Sequence, residues 1–273
     1  MISIFYFILT LLFISFILVI HELGHFLTSL LFKVKVEEFG LGYPPRILGF
    51  KKNNIIYSLN LIPFGAITKI EEGDKTNPSR DSFWGKKFSE KIIILLAGSF
   101  LNILFAFFVF VLLFWIGFPK EILPFEIFKE ETLKYPFYLA ISKSFSFMGI
   151  VLKESLKGIV QAFLSLFLKG DIRNFVGPVG LVAVTNQALR IGFKEGIYLI
   201  GLISYVLGIF NLLPIPALDG GRIFFLLIEK IRKKPISQKT ENLITNITFS
   251  LLLILLLIVS IKDVKFFILK KFH

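Results

Sequence analysis

The chain has 273 residues, of which 55% are hydrophobic and 18% are charged. This composition excludes an ordinary water-soluble enzyme and favours a protein that is solvated by a lipid bilayer. The net charge of +12 is better explained by Lys and Arg residues meeting anionic headgroups beside apolar spans than by nucleic-acid binding, and the absence of Cys excludes disulfides and thiolate metal ligands.

The first predicted element is a transmembrane helix over residues 2–31. No basic residue precedes it and no small-residue cleavage site follows its apolar run, so we expect a retained span and not a cleaved signal peptide.

This helix contains the HExxH sequence His21-Glu22-Leu23-Gly24-His25. Residues four apart share one helix face, so both imidazoles can bind one metal ion, and Glu22 is placed to act as a general base. The alternative is a histidine pair that contacts lipid headgroups. Because an acid and two imidazoles at the end of a span are costly without compensation, we favour the metal site.

Residues 34–70 have the composition of a small membrane-associated β-hairpin region. Short runs of branched and aromatic residues alternate with Gly, Pro-Pro and Asn-Asn turn signals. Four strands are predicted: Val34–Phe39, Arg46–Phe50, Ile55–Leu61 and Ala66–Ile70. We expect an unwound substrate segment to add to this sheet as a further strand, with Gly65 and Ala66 in the region that binds it.

Three further apolar runs, residues 92–116, 197–213 and 243–261, are long enough or nearly long enough to cross a bilayer. The second span contains a lone amide, Asn102. It either lines the site or packs against a neighbouring helix.

The segment of about residues 135–169 is mostly apolar, but charged residues interrupt it. Its uncharged runs are too short to span a bilayer. We therefore expect an interfacial amphipathic helix.

Two histidines leave a metal site incomplete, and the best candidate for a third ligand is Asp219. It follows the third span in Asn211-Leu-Leu-Pro-Ile-Pro-Ala-Leu-Asp219-Gly-Gly, where the prolines forbid a regular helix. Irregular backbone at membrane depth survives only beside protein or a water-filled cavity, which makes its acid a functional candidate. The alternative is that Asp219 caps a short helix.

Together these motifs resemble the site-2 protease family of membrane zinc metalloproteases. The likeness is greatest to the bacterial branch that releases envelope-stress sigma factors from membrane-bound anti-sigma factors. Besides the HExxH and Asp219 motifs, it includes Phe39–Leu48, Tyr57–Ala66, Ala97–Asn102 and Gly177–Gly180.

The resemblance implies one Zn²⁺ per chain held by His21, His25 and Asp219, with Glu22 as the catalytic base. It implies that Asn211 binds substrate or stabilises the oxyanion, although a hydrogen bond that mends the proline-broken backbone is an equal alternative.

The expected partners are membrane lipids and single-pass membrane proteins or signal peptides as substrates, with no nucleic acid. The expected location is the inner (cytoplasmic) membrane. No basic residue precedes the first span while Lys33 and Lys35 follow it, which favours an active site near the cytosolic side and both termini outside.

Two features depart from that bacterial branch. The interval between the second and third spans is too short for a PDZ domain beside the interfacial segment, so none is expected. Ser99 also replaces a Pro that is usual in the family.

The predicted fold class is therefore a mainly α, polytopic membrane protein, with residues 1–273 forming a single membrane-embedded peptidase domain. The competing function is a non-catalytic zinc-binding scaffold or transporter, which would have no need of Glu22. A metalloprotease with its site in a large soluble domain is disfavoured because the chain has no room for that domain.

Overall fold

The computed structural model describes residues 4–118 and 134–268. Its helices and strands follow one another as α1 Ile4–Leu31, β1 Val36–Lys52, β2 Ile55–Ile70, α2 Phe88–Ile116, α3 Phe137–Lys169, α4 Pro178–Ile191, α5 Phe193–Asn211, α6 Asp219–Arg232 and α7 Gln238–Asp263. A π-helical turn, Val264–Ile268, continues α7.

Four helices in the described part of the chain are long and apolar enough to cross a membrane: Phe7–Leu31, Phe88–Ile116, Phe193–Asn211 and Gln238–Phe266. The predicted class, a mainly helical protein with about four spans and a small sheet, is confirmed. The segment predicted as interfacial forms the helix α3, which is not among the four. Residues 119–133 of the interval before it lie outside the described part.

Two of the spans begin before their apolar runs because polar residues complete the first helical turn. The N–H of Lys87 donates to the carboxylate of Glu90 (2.9 Å) at the start of α2. The N–H of Thr240 donates to Ser237 Oγ (3.1 Å) at the start of α7. Such contacts satisfy N–H groups that have no partner within the helix. Hydropathy shows where a span is apolar, and capping residues decide where its helix begins.

The sheet is formed by two long strands, and each of them contributes two paired segments: 36–41 and 46–52 in β1, and 55–60 and 66–70 in β2. These four segments correspond to the four short strands that were predicted. β1 and β2 pair antiparallel, and Phe39 lies opposite both Thr68 and Tyr57. The predicted turn at Asn53-Asn54 is formed, with φ of 50° and 64°. The glycines and prolines that follow the first predicted strand lie inside β1, where its pairing changes register. Tyr57 lies opposite Phe39 in one segment of β1 and opposite Phe50 in the other, so these residues separate two paired segments.

The chain divides into two compact units. The described part of one unit comprises residues 4–10, 104–118, 134–206 and 251–268. Its core is aromatic: Phe110, Phe114, Phe118, Phe147 and Tyr198 contact one another ring to ring. In this unit the carboxylate of Asp263 accepts the N–H groups of Gly177 (2.8 Å) and Gly180 (2.9 Å) at the start of α4. The Gly-Pro motif of the sequence is thus the capped start of a helix.

The other unit contains residues 11–103 and 207–250, including the loop that follows β2. The side chain of Lys75 in this loop is buried, donates to Glu229 (2.8 Å) and to Glu241, and lies 4.0 Å from the centre of the Trp84 ring. Arg222 also pairs with Glu72 across 2.9 Å. These contacts hold the loop against α6 and the first turn of α7, and α6 begins with Asp219.

Candidate metal centre

The two histidines of the HExxH sequence face one another on α1. Their Nε2 atoms lie 3.1 Å apart, and their ring centroids are separated by 4.9 Å. His25 Nδ1 lies 2.8 Å from the backbone carbonyl oxygen of Ile94, which can accept its proton. Four-residue spacing therefore directs both imidazoles to one point, and α2 orients the second of them.

Asp219 completes a group of three. Its Oδ2 lies 3.1 Å from His21 Nε2 and 3.3 Å from His25 Nε2. Leu218, and not Asp219, is the residue that precedes the first turn of α6, and its side chain makes no capping hydrogen bond. Burial raises the pKa of Asp219, but hydrogen bonds and charge from the two histidines outweigh burial and hold this pKa well below its usual range. The carboxylate is therefore the stable form beside the imidazoles.

The segment between α5 and α6 delivers Asp219 to the histidines. α5 ends at Asn211, and Pro214 and Pro216 follow, so the chain turns sharply before α6. A Cβ added at Gly220 would lie 2.3 Å from the carbonyl oxygens of Leu212 and Leu213. Only glycine allows this close approach, which explains the Gly residue directly after the acid.

Glu22 is held between the histidine pair and the sheet. The hydroxyl of Thr68 donates to the backbone carbonyl of Glu22 (2.9 Å), and the carboxyl group interacts electrostatically with both imidazoles. Burial raises the pKa of Tyr43, and the charge of Glu22 adds to that effect.

Of the remaining predicted residues, Asn102 contacts a histidine. The amide of Asn102 is buried in α2, 3.4 Å from His21 Nδ1. Asn211 donates to the carbonyl of Leu207 (3.1 Å), one turn back in its own helix. Gly65 has φ of 77°, and Ala66 beside it is buried.

Gly65 lies against α1, on the N-terminal side of the two histidines. A Cβ added there would lie 3.2 Å from Leu18 Cδ1 and 3.0 Å from Tyr43 Cε2. Leu18 is one helical turn before Glu22. The segment that begins at Gly65 thus follows the helix toward the acid.

Sequence reasoning missed the carbonyl of Ile94 and the hydroxyl of Thr68. A backbone carbonyl has no signature in a sequence, since every residue carries one. Thr68 was predicted only as part of the strand Ala66–Ile70, and only the pairing of the strands brings it beside α1.

The donor set fits zinc. Ligand atoms about 2.0–2.1 Å from a tetrahedral zinc ion lie about 3.3–3.4 Å from one another, close to the three separations observed. Two imidazoles and one carboxylate also leave a fourth position open, as in catalytic zinc sites. A helix that crosses the membrane, this donor set and an adjacent Glu together define the class of membrane metallohydrolases.

Comparison with known proteins agrees with this class. Residues 8–255 match the family model described as Peptidase family M50, and no PDZ domain is found. A presumed zinc metalloprotease of Clostridium perfringens is 30% identical, over 96% of this chain and 99% of its own length. Another presumed zinc metalloprotease, from Clostridium acetobutylicum, is 28% identical over 91% of this chain and 94% of its own length. The zinc metalloprotease RasP of Shouchella clausii is 46% identical over 88 residues, which are 32% of this chain and 21% of that protein.

The chain belongs to Peptidase family M50, the site-2 protease family. It is a multi-pass membrane zinc metalloprotease.

Proposed function

We propose that the chain hydrolyses peptide bonds in or near the transmembrane segments of other membrane proteins. His21, His25 and Asp219 would hold a single zinc ion, and Glu22 would be the general base. The observation that supports this proposal most is the triangle of 3.1, 3.1 and 3.3 Å formed by the three donor atoms, two of which belong to histidines inside the first span.

Zinc, when bound, supplies a Lewis acid for the scissile carbonyl and lowers the pKa of water. Glu22 takes a proton from the attacking water and returns it to the leaving amine. Asn211 is the candidate for binding the substrate backbone or the oxyanion, which requires its amide to leave the Leu207 carbonyl. The protein thus supplies the ligands, the proton carrier and a hydrogen-bond donor.

The substrates proposed are single-pass membrane proteins, such as anti-sigma factors, and remnant signal peptides. A helical substrate shields its peptide bonds, so it must unwind before attack. Within the described ladder, residues 66–70 of β2 pair with β1 along one edge. An extended substrate can add to the other edge, beside Gly65 and Ala66, and so satisfy its backbone groups within the membrane.

The exposed side chains of the sheet suit contact with lipid. Several large apolar residues on β1 and β2 are 42–64% exposed: Leu41, Tyr43, Ile47, Leu48, Phe50, Leu59, Leu61 and Ile62. An apolar surface of this size is unfavourable in water. We therefore place the hairpin in the membrane as part of a single membrane-embedded peptidase domain, with α3 lying at the interface.

The location proposed is the bacterial cytoplasmic membrane, with the active site near the cytosolic side and both termini outside. Lys33 and Lys35 follow the first span, and a series of Lys and Arg residues between Lys230 and Lys239 precedes the fourth. Basic residues are enriched on the cytoplasmic side of membrane proteins, which supports this orientation.

The substitution Glu22→Gln tests the function. It removes the base and keeps the shape, so we expect cleavage of a model transmembrane substrate to be lost while zinc content stays at the wild-type level. A scaffold or transporter needs no base at this position. Full activity of the Gln variant would contradict the protease proposal and favour that alternative.

A further inference from the structure

We propose that Asn102 is a positioning residue that holds His21 in the tautomer whose Nε2 faces Asp219, and that it does not contact the substrate. This inference rests on the proposed function, since His21 is a ligand of the same metal site.

One face of α2 lies along the two histidines. Ile94, Gly98 and Asn102 are spaced four residues apart and therefore share that face. The carbonyl oxygen of Ile94 lies 2.8 Å from His25 Nδ1, and the amide nitrogen Nδ2 of Asn102 lies 3.4 Å from His21 Nδ1. Between them, a Cβ added at Gly98 would lie 2.5 Å from His25 Nε2 and 2.7 Å from His21 Nε2. The outer residues thus contact the Nδ1 atoms, and the central glycine leaves room for the rings.

The chemistry of metal binding determines what those contacts must be. A neutral imidazole that binds a metal ion through Nε2 carries its proton on Nδ1, and that proton needs an acceptor. The Ile94 carbonyl is an acceptor for His25. Beside His21 the structure places the Asn102 amide with Nδ2 nearest to Nδ1, and a half-turn of the amide group exchanges this NH₂ group for the oxygen. The Nδ1–H tautomer selects the oxygen, Oδ1, of Asn102.

The surroundings make this acceptor important. The side chain of Asn102 is fully buried in a helix that is otherwise strongly apolar. An N–H group left without an acceptor at such a place is costly. Without the Asn102 oxygen, His21 would favour the tautomer with its proton on Nε2, and that tautomer cannot bind the metal.

The test is the zinc affinity of the purified full-length chain, measured in detergent by competition with a chromophoric chelator. Asn102→Leu keeps much of the volume and removes the acceptor, so we expect zinc affinity to fall about 10- to 100-fold, as for other partners of metal-bound histidines. Asn102→Asp retains an acceptor, and its affinity should stay close to wild type. Ser99→Ala is the matched control: it lies one turn earlier in α2, is equally buried, and should leave zinc affinity unchanged.

Nitrogen NMR of the histidine-labelled chain reports which ring nitrogen of His21 carries the proton. This would not change if Asn102 only supported the fold. The substitution His273→Ala leaves His21 and His25 as the labelled rings. We expect both rings to be protonated at Nδ1 in the wild-type background and His21 to show protonation at Nε2 in Asn102→Leu. Asn102→Ala provides a second variant should Asn102→Leu fail to fold.

Zinc affinity of Asn102→Leu or Asn102→Ala equal to wild type would overturn the inference, whether or not cleavage falls. A fall in cleavage alone would indicate that Asn102 contacts substrate. Failure of the wild-type chain to bind zinc would instead contradict the proposed function itself.

Discussion

Small and polar residues of α2 make room for the histidines in an otherwise apolar helix. Gly98 is part of the Ala97–Asn102 motif, whose likeness to a family motif gave no physical role from sequence alone. The structure supplies one, because the ring nitrogens of both histidines lie where a larger side chain would be. The histidine pair was predictable from four-residue spacing, and Asp219 from its place in a proline-broken segment. Of the partners on α2, Asn102 was a candidate because it is a lone amide in an apolar helix, whereas the Ile94 carbonyl and Gly98 could not be predicted, since neither residue type signals a contact with a histidine.

The substitution Gly98→Ala tests this role of glycine. The added methyl group would lie 2.5 Å from His25 Nε2, so the imidazoles must move and zinc affinity should fall at least about tenfold. Gly149→Ala is the control, since nothing lies within 4 Å of a Cβ at that exposed helical position. It should keep zinc affinity and stabilise α3 by about 0.5–1 kcal/mol. Equal zinc affinity in both variants, measured by chelator competition, would contradict the packing described.

The four paired segments of the sheet were predicted, but their joining into two continuous strands was not. Gly and Pro signals mark bends within β1 because the ladder tolerates irregular register. An ion pair inside the sheet was also missed, since its partners are brought together by the fold of the hairpin. Arg46 donates to both carboxylate oxygens of Glu38, and Ser58 donates to the same carboxylate.

This ion pair predicts a pH dependence of the hairpin. Burial raises the pKa of Glu38, but the hydrogen bonds from Arg46 and Ser58 outweigh burial and hold it below its ordinary value of 4.5. The stabilisation is therefore present above pH 4.5 and is lost as pH falls through the pKa of the folded state. We expect Glu38→Gln to increase hydrogen exchange of residues 34–70 at neutral pH, and the difference from wild type to vanish in acid.

Glu37→Gln is the matched control for the hairpin. Glu37 pairs with Lys69 (2.8 Å) at a more exposed position, where an ion pair contributes little. Its exchange should resemble wild type at neutral pH. A Glu38→Gln difference that persists unchanged well below pH 4.5 would show that the charge is not its cause.

At the scale of the whole molecule, the number of spans followed from hydropathy, because crossing a bilayer requires about 20 apolar residues. The division into two units could not be predicted from hydropathy, since each unit is assembled from segments distant in sequence. The direction in which the chain crosses the membrane rests on the placement of Lys and Arg residues alone.

That orientation can be measured directly because the chain has no Cys. A single cysteine introduced as Asn77→Cys, in the exposed loop after β2, should be protected from a membrane-impermeant maleimide in intact cells. Asn174→Cys, exposed between α3 and α4, should be labelled. The opposite pattern would reverse the proposed orientation.

The central claim is that two imidazoles and one carboxylate from distant parts of the sequence hold a single zinc ion. X-ray absorption at the zinc edge, measured on the purified full-length chain, tests it most directly. We expect about one zinc per chain, two imidazole ligands and a first shell of nitrogen and oxygen near 2.0–2.1 Å in the wild-type chain, and a zinc content well below one per chain in Asp219→Ala. A spectrum without imidazole scattering, or one identical in amount and shape in Asp219→Ala, would contradict it.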